Sequence, residues 1–221
     1  MQLRRLIALI LFVFSASAAR AEEDRFCRNG LFPSDPPFLL AEVQGEDRAY
    51  FHGDMNGCPW TRGACSSPSY VVPGDKVLIN SMHKGYACAF YPGKGGGTAG
   101  WVPLRQLRLV PFETEPAISA WLGAWSSEGN PELRFFEEDG RVHVVGEAWW
   151  PGPEPSEMYP SPHIGAIDGP VTLNGYLARY SDEDLCEVSF TLLGDLLIAG
   201  DNRQCGGMNV SFSAVYRRVT E

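Results

Sequence analysis

The stretch that most constrains this chain is its closing segment, Leu185 to Tyr216, LCEVSFTLLGDLLIAGDNRQCGGMNVSFSAVY. Up to Leu192, one side of an extended backbone carries Cys186, Val188, Phe190 and Leu192, and the other carries Glu187, Ser189 and Thr191. Apolar residues at every second position bury one face of a strand and leave the other wet. Gly194-Asp195 then separates two apolar runs, which is a hairpin signal. After Cys205-Gly206-Gly207, Val210, Phe212, Ala214 and Tyr216 alternate with Ser211, Ser213 and Val215. The segment therefore predicts a strand pair, a disulfide across it and a final strand.

The compartment follows from the opposite end. Arg4 and Arg5, the apolar run Leu6 to Phe14 and the small-x-small triplet Ala19-Arg20-Ala21 read as a secretory leader over residues 1–21. That run is shorter than the roughly 20 residues that span a bilayer. No later segment is apolar enough to span, so an exported protein, periplasmic or secreted, is expected. Losing Arg4, Arg5 and Arg20 from 18 basic residues leaves 15 against 27 acidic ones, a net charge of −12. Nucleic acid and anionic lipid demand a basic surface and are excluded as partners.

All six cysteines follow the leader: Cys27, Cys58, Cys65, Cys88, Cys186 and Cys205. An even count in an exported chain predicts disulfides, and the absence of any CxxC removes zinc-ribbon and thioredoxin-like readings. Cys186–Cys205 is the firmest pairing, because both flank one hairpin. Among the other four, three pairings are possible, and we favour Cys58–Cys65 with Cys27–Cys88. The four-plus-two split suggests two separately stapled domains.

In chain order, residues 22–41 read as irregular, with Pro33, Pro36 and Pro37 opposing regular structure. A short strand is expected at Arg48–His52, then a long stapled loop from Gly53 to Ser69. Five short strands follow between Tyr70 and Leu109, with turns at Pro73-Gly74-Asp75 and Gly95-Gly96-Gly97. The succession PGDKV, GYACAFY and GWVPLRQL resembles the bacterial SH3-like domain over residues 42–110, where a Gly-Trp-Val strand precedes a short helical turn and a last strand. The cysteine-bearing loop at 53–69 departs from that pattern. Membership would imply an adaptor, or a binder of cell-wall peptides.

Residues 111–116, with a proline at each end, read as a linker to a second domain over 117–221. A helical turn is expected near Ala117–Leu122. Strands at Glu132–Glu137 and Arg141–Trp150 are joined by Asp139-Gly140, a two-residue hairpin signal. The proline-rich stretch 151–162 reads as a surface loop, and further strands follow to Arg218. About eight short antiparallel strands suggest a closed barrel, which removes exposed edges. Gly123-Ala124-Trp125 resembles the opening of lipocalin-like and avidin-like barrels. The closing DNRQCGGMNVSFSAVY resembles the C-terminus of a group of exported bacterial proteins, a likeness that implies export and no particular activity. Whether the barrel is packed or hollow stays open at this level. The fold class expected is all-β: an SH3-like small barrel and a lipocalin-like closed barrel.

His52, His83, His143 and His163 show no pairing at i, i+2 or i, i+4, so no metal site is written locally and no cofactor is expected. There is no GxSxG, HExxH or Walker loop. Gly93–Gly100 precedes no helix, and Asp182-Glu183-Asp184 lacks the ligand spacing of a calcium loop. The candidate contacts are aromatic. Tyr86, Phe90, Tyr91 and Trp101 could line a groove for a peptide or glycan, although core packing is the plainer reading. Trp149 and Trp150 are adjacent, so one is expected in the core and the other outside or under the proline loop. The expectation is a non-catalytic envelope protein contacting a peptidoglycan peptide or glycan, or an envelope protein. The alternative is a periplasmic inhibitor of a lysozyme-like or other hydrolase, which an acidic surface suits. Ser213-Ala214-Val215-Tyr216 is similar to the Ser-Gly-x-x-Tyr loop of periplasmic C-type lysozyme inhibitors, but lacks its glycine and is one residue shorter.

Overall fold

The computed structural model describes residues 25–34, 36–61, 65–93, 95–128, 130–151 and 162–219. The expected leader and residues 152–161 of the proline-rich stretch lie outside them. Strands β1 (Leu39–Val43), β2 (Ala49–His52), β3 (Ser66–Val71), β4 (Lys76–His83), β5 (Tyr86–Tyr91), β6 (Thr98–Pro103) and β7 (Leu107–Val110) form one antiparallel sheet in the order β3-β2-β6-β5-β4-β1-β7. Its inner face closes on Val43, Phe51, Val77, Ile79 and Val102. A 3₁₀ turn at Leu104–Gln106 joins β6 to β7, where the helical turn was expected.

Two strands correct the sequence reading. β1 begins inside the segment 22–41 expected to be irregular, and it pairs with both β4 and β7. Its residues do not alternate in polarity because both faces are covered: Leu40 faces outward into a second core, while Ala41 and Val43 face the inner one. β3 occupies part of the expected loop Gly53–Ser69. Its Ser-Ser-Pro-Ser composition suits an exposed edge strand, where Pro68 displaces no ladder bond.

The second sheet has nine strands: β8 (Gly123–Ser127), β9 (Asn130–Glu138), β10 (Arg141–Trp150), β11 (His163–Pro170), β12 (Thr172–Asn174), β13 (Leu177–Ser181), β14 (Glu187–Leu193), β15 (Leu196–Asp201) and β16 (Ala214–Arg218). Their order is β11-β10-β9-β8-β16-β15-β14-β13-β12, antiparallel throughout and nearly closed into a barrel. Asp139 and Gly140 turn β9 into β10 with φ of 51° and 74°, the left-handed pair that the sequence signal requires. The interior is packed rather than hollow. Trp121, Trp125, Phe135, Phe190, Phe212 and Tyr216 fill it, each at most 1 % exposed. The Trp125 indole donates to the Trp121 carbonyl at 3.0 Å, and the Tyr216 hydroxyl donates to the Phe212 carbonyl at 2.8 Å. Burial pushes the Tyr216 hydroxyl far up, so it stays a neutral donor. Arg218 lies over the Trp125 ring at 4.2 Å and donates to the carbonyls of Ala120 and Leu122, fixing the incoming turn at the barrel end.

Ladder pairing does not run fully round this barrel, which corrects the closed barrel expected. β11 passes into β12 through one residue, Val171, and a hairpin needs at least two in its loop. The seam is bridged otherwise. The Tyr180 hydroxyl accepts from Asp168 N–H at 3.3 Å and donates to the Asp182 carboxylate at 3.1 Å. Gly207 N–H donates to the Ile164 carbonyl at 3.0 Å, and His163 Nδ1 lies 2.6 Å from the Met208 carbonyl. Cys205–Gly207 thus lies along β11, while the Cys186–Cys205 disulfide holds it to the start of β14. The last strand begins at Ala214 rather than Met208, because N–H and hydroxyl groups of residues 211–213 turn to the Asp201 carboxylate instead of a ladder.

All three expected disulfides are present, Cys27–Cys88, Cys58–Cys65 and Cys186–Cys205. The two sheets are not merely linked. Residues 25–34 form a wedge between them, tied to β5 by Cys27–Cys88 and to β6 by the Asn29 side chain, which donates to the Gly97 carbonyl at 2.9 Å and accepts from Ala99 N–H at 2.5 Å. Phe32 of the wedge stacks on Phe90 at 5.3 Å and lies in one core with Leu78, Leu193, Leu196 and Ile198, drawn from both sheets. Residues 111–116, expected as a linker, run between the sheets with Phe112 against Tyr176 at 5.1 Å.

Candidate binding sites

The six aromatic residues singled out in the sequence fall into three places. β5 carries Tyr86 at its start and Phe90 with Tyr91 at its end, so these two groups sit at opposite ends of one strand. The tryptophans of β10 lie on the other sheet.

The first place is a cleft of about 450 Å³ between the sheets, lined by Phe90, Tyr91, Pro92, Ser127, Glu128 and Arg217 among others. Phe90 is only 3 % exposed and serves as floor, while half-buried Tyr91 offers a ring. The β5–β6 tip wraps tightly here. Gly97 has φ of 80°, and a Cβ at that position would meet the Phe90 ring and lie 2.7 Å from the Tyr91 carbonyl oxygen. Arg217 donates to the Pro92 carbonyl from β16, across the boundary between the sheets. A carboxylate and a guanidinium therefore flank an aromatic wall in a cleft whose two sides share one core.

The second place gathers Tyr86 and Trp101 with Trp60 and with His52 and His83, two histidines weighed in the sequence only as metal ligands. His52 lies opposite Trp101 across β2 and β6, and its ring is 5.4 Å from Tyr86. Trp60, from the loop closed by Cys58–Cys65, meets Trp101 at 5.3 Å and His83 at 5.0 Å, edge to face in both cases. Trp101 is fully buried and belongs to the core that the wedge completes, so its ring is not a free groove wall. Trp60 was legible only as part of a stapled loop; nothing in its spacing showed that it covers Trp101. Burial first, and the Arg105 charge second, hold His52 below its ordinary value of 6.5. A base depressed in the folded state binds fewer protons than in the unfolded chain, so folding loses stability as pH falls from about 6.5 through the depressed value. His52→Asn is expected to flatten this loss between pH 7.5 and 5.5, read as denaturation midpoints at several pH values. An equally steep loss in the variant would assign it elsewhere.

The third place corrects an expectation. Neither Trp149 nor Trp150 is in the core; they are 65 % and 45 % exposed. Val142, Val144, Gly146 and Ala148 face inward, and Trp150 continues that face, but by then β10 has run beyond the packed interior. Trp149 pairs with Ile164 of β11, itself 69 % exposed, beside a second cleft of about 520 Å³.

Among the described residues no group of three or more His, Cys, Asp or Glu is placed to hold a metal ion, and no helix is long and apolar enough to cross a membrane. Ser213–Tyr216 forms no exposed loop: Tyr216 is buried and the Ser213 hydroxyl donates to Asp201 at 3.1 Å. No protein-family profile, curated protein or solved structure matches this chain.

Proposed function

We propose that this chain is a non-catalytic, exported binding or adaptor protein of the bacterial cell envelope, an SH3-like module joined to a lipocalin-like barrel. The observation that carries this reading is the cleft between the sheets. Its aromatic wall, Tyr91, shares the cleft with Glu128 and Arg217, and the two sides share one core, so little ordering is demanded when a ligand enters. A peptidoglycan stem peptide, with amides and charges of both signs, fits such a wall better than a neutral glycan does. Because Trp101 is buried, the residues to vary are Tyr91 and Glu128. Mature protein is expected to sediment with insoluble peptidoglycan, and Tyr91→Ala with Glu128→Gln to weaken that association about tenfold, the scale of one modest hot spot. Undiminished sedimentation by a variant with an unchanged circular-dichroism spectrum would remove the cleft from the reading.

A specific observation favours one second reading. Trp149 and Ile164 form an exposed apolar pair on a strongly acidic protein, which suits docking to a basic hydrolase such as lysozyme. A lysozyme assay on the same sample separates the two: inhibition without sedimentation points to the β10–β11 surface.

A further inference from the structure

The cleft of about 520 Å³ beside Trp149 is lined by Glu147, Ala148 and Trp149 of β10 and by Pro162, Ile164, Gly165 and Ala166 along β11. The strand register explains why there is room. Trp149 stands opposite Ile164, Glu147 opposite Ala166 and Val145 opposite Asp168, three successive rows on the face turned away from the core. Ala166 puts one methyl group in the middle row, so a gap opens beside Glu147 where a longer side chain would stand. Trp149 and Ile164, both exposed, wall one end of it. Charge on these rows is negative. Glu147 is the one ionisable group among the described residues lining the cleft, and Asp168 stands diagonally from it, about 7–8 Å away backbone to backbone. Arg134 of β9, opposite Val145, brings a cation to the neighbouring row, yet no ion pair among the described residues involves Glu147 or Asp168.

We propose that this cleft binds an ammonium group on an alkyl stem, the chemistry of a lysine side chain. An open indole face attracts a cation through the ring quadrupole, and the Glu147 carboxylate adds charge attraction. Ile164 and Ala166 cover the methylenes of the stem. A compact cation on a flexible stem suits a lining with one carboxylate better than a planar guanidinium, which is held best by paired acceptors. The excess of 27 acidic over 18 basic residues raises the concentration of such cations near the surface. A basic hydrolase displays lysines, so the inference rests on the second reading above for the bearer of the cation, though not for the chemistry.

A lysine side chain and a free amine share this chemistry, so the probes separate them. Mature chain with nitrogen-15 in its indoles is titrated with N-acetyl-lysine methylamide, n-butylammonium and the neutral N-acetyl-norleucine methylamide. Each runs to about 20 mM, a range that captures millimolar binding. The Trp149 indole N–H resonance, assigned with Trp149→Leu, is expected to move with both amines and not with the norleucine derivative. Affinity about tenfold higher for the lysine derivative would identify a peptide-borne lysine as the source, and equal affinity a free amine. Glu147→Gln, at an exposed position, is expected to weaken both about fivefold and to leave the circular-dichroism spectrum unchanged. A resonance that stays still, an equal response to norleucine, or undiminished affinity in Glu147→Gln overturns the assignment. Lysozyme assays on the same samples keep the two readings apart. Amine binding without inhibition supports the cleft and removes the hydrolase; inhibition without amine binding does the reverse.

Discussion

Gly165→Ala is expected to lower the stability of the nine-stranded barrel by about 3 kcal/mol, at the upper end for a single added methyl group. The backbone conformation at Gly165 does not demand glycine. What demands it is space: a Cβ there would overlap the Cys205 carbonyl oxygen and lie 2.8 Å from the Gly206 Cα. Both are backbone atoms of a loop held by the Cys186–Cys205 disulfide and by the Gly207 N–H to Ile164 bond, so the loop cannot step aside without opening the seam. Gly30→Ala is the control, because nothing lies within 4 Å of its added methyl, and it should change stability by less than about 0.5 kcal/mol. Urea denaturation followed by tryptophan fluorescence measures both. If Gly165→Ala unfolds at the parent midpoint, Cys205–Gly207 is not seated on β11.

Phe32→Ala should have a larger effect and a different signature. Removing a buried aromatic ring from a core costs about 3–5 kcal/mol. Phe32 is 1 % exposed, and its ring lies 5.7 Å from Phe38 and 5.3 Å from Phe90. Its neighbours in that core come from both sheets, so the loss falls on the joint between them. The parent chain is expected to unfold in one transition and Phe32→Ala in two, the sheet left with the weaker core melting first. Calorimetry distinguishes the outcomes. A single, shifted transition would show that the sheets cohere without the wedge.

The sequence marked the strands wherever alternation was clean. Val142 to Ala148 and Cys186 to Phe190 were legible because each faces one core and a wetter side; the alternation stops at Thr191, expected on the wet face but buried at 6 % exposure. β1 was not, since a strand covered on both sides loses the alternation that betrays it. Disulfide pairing in the second sheet followed from two cysteines flanking one hairpin. The wedge was opaque for a different reason: Phe32 sits among prolines and glycines, and only tertiary contact explains a buried ring in such a context. Among the candidate contact residues, residue type was informative and exposure was not. Trp101 and Trp149 look alike in composition terms, yet one is sealed beneath Trp60 and the other stands in solvent. Burial of that kind depends on which loop happens to lie above a strand, and no local period encodes it.

The wedge also has a consequence in time. Phe32 precedes nearly every other packed residue along the chain, while Leu196, Ile198 and Val215, which complete its surroundings, are among the last to be synthesised. The first sheet can form its ladders from residues 39–110 alone, but its outer face and the wedge remain apolar and uncovered until β15 and β16 exist. Contacts so distant in sequence form slowly. A chaperone that shields apolar surface in the compartment of folding would therefore find its client in the half-made molecule, with the wedge and the outer face of β5 as the surface to hold.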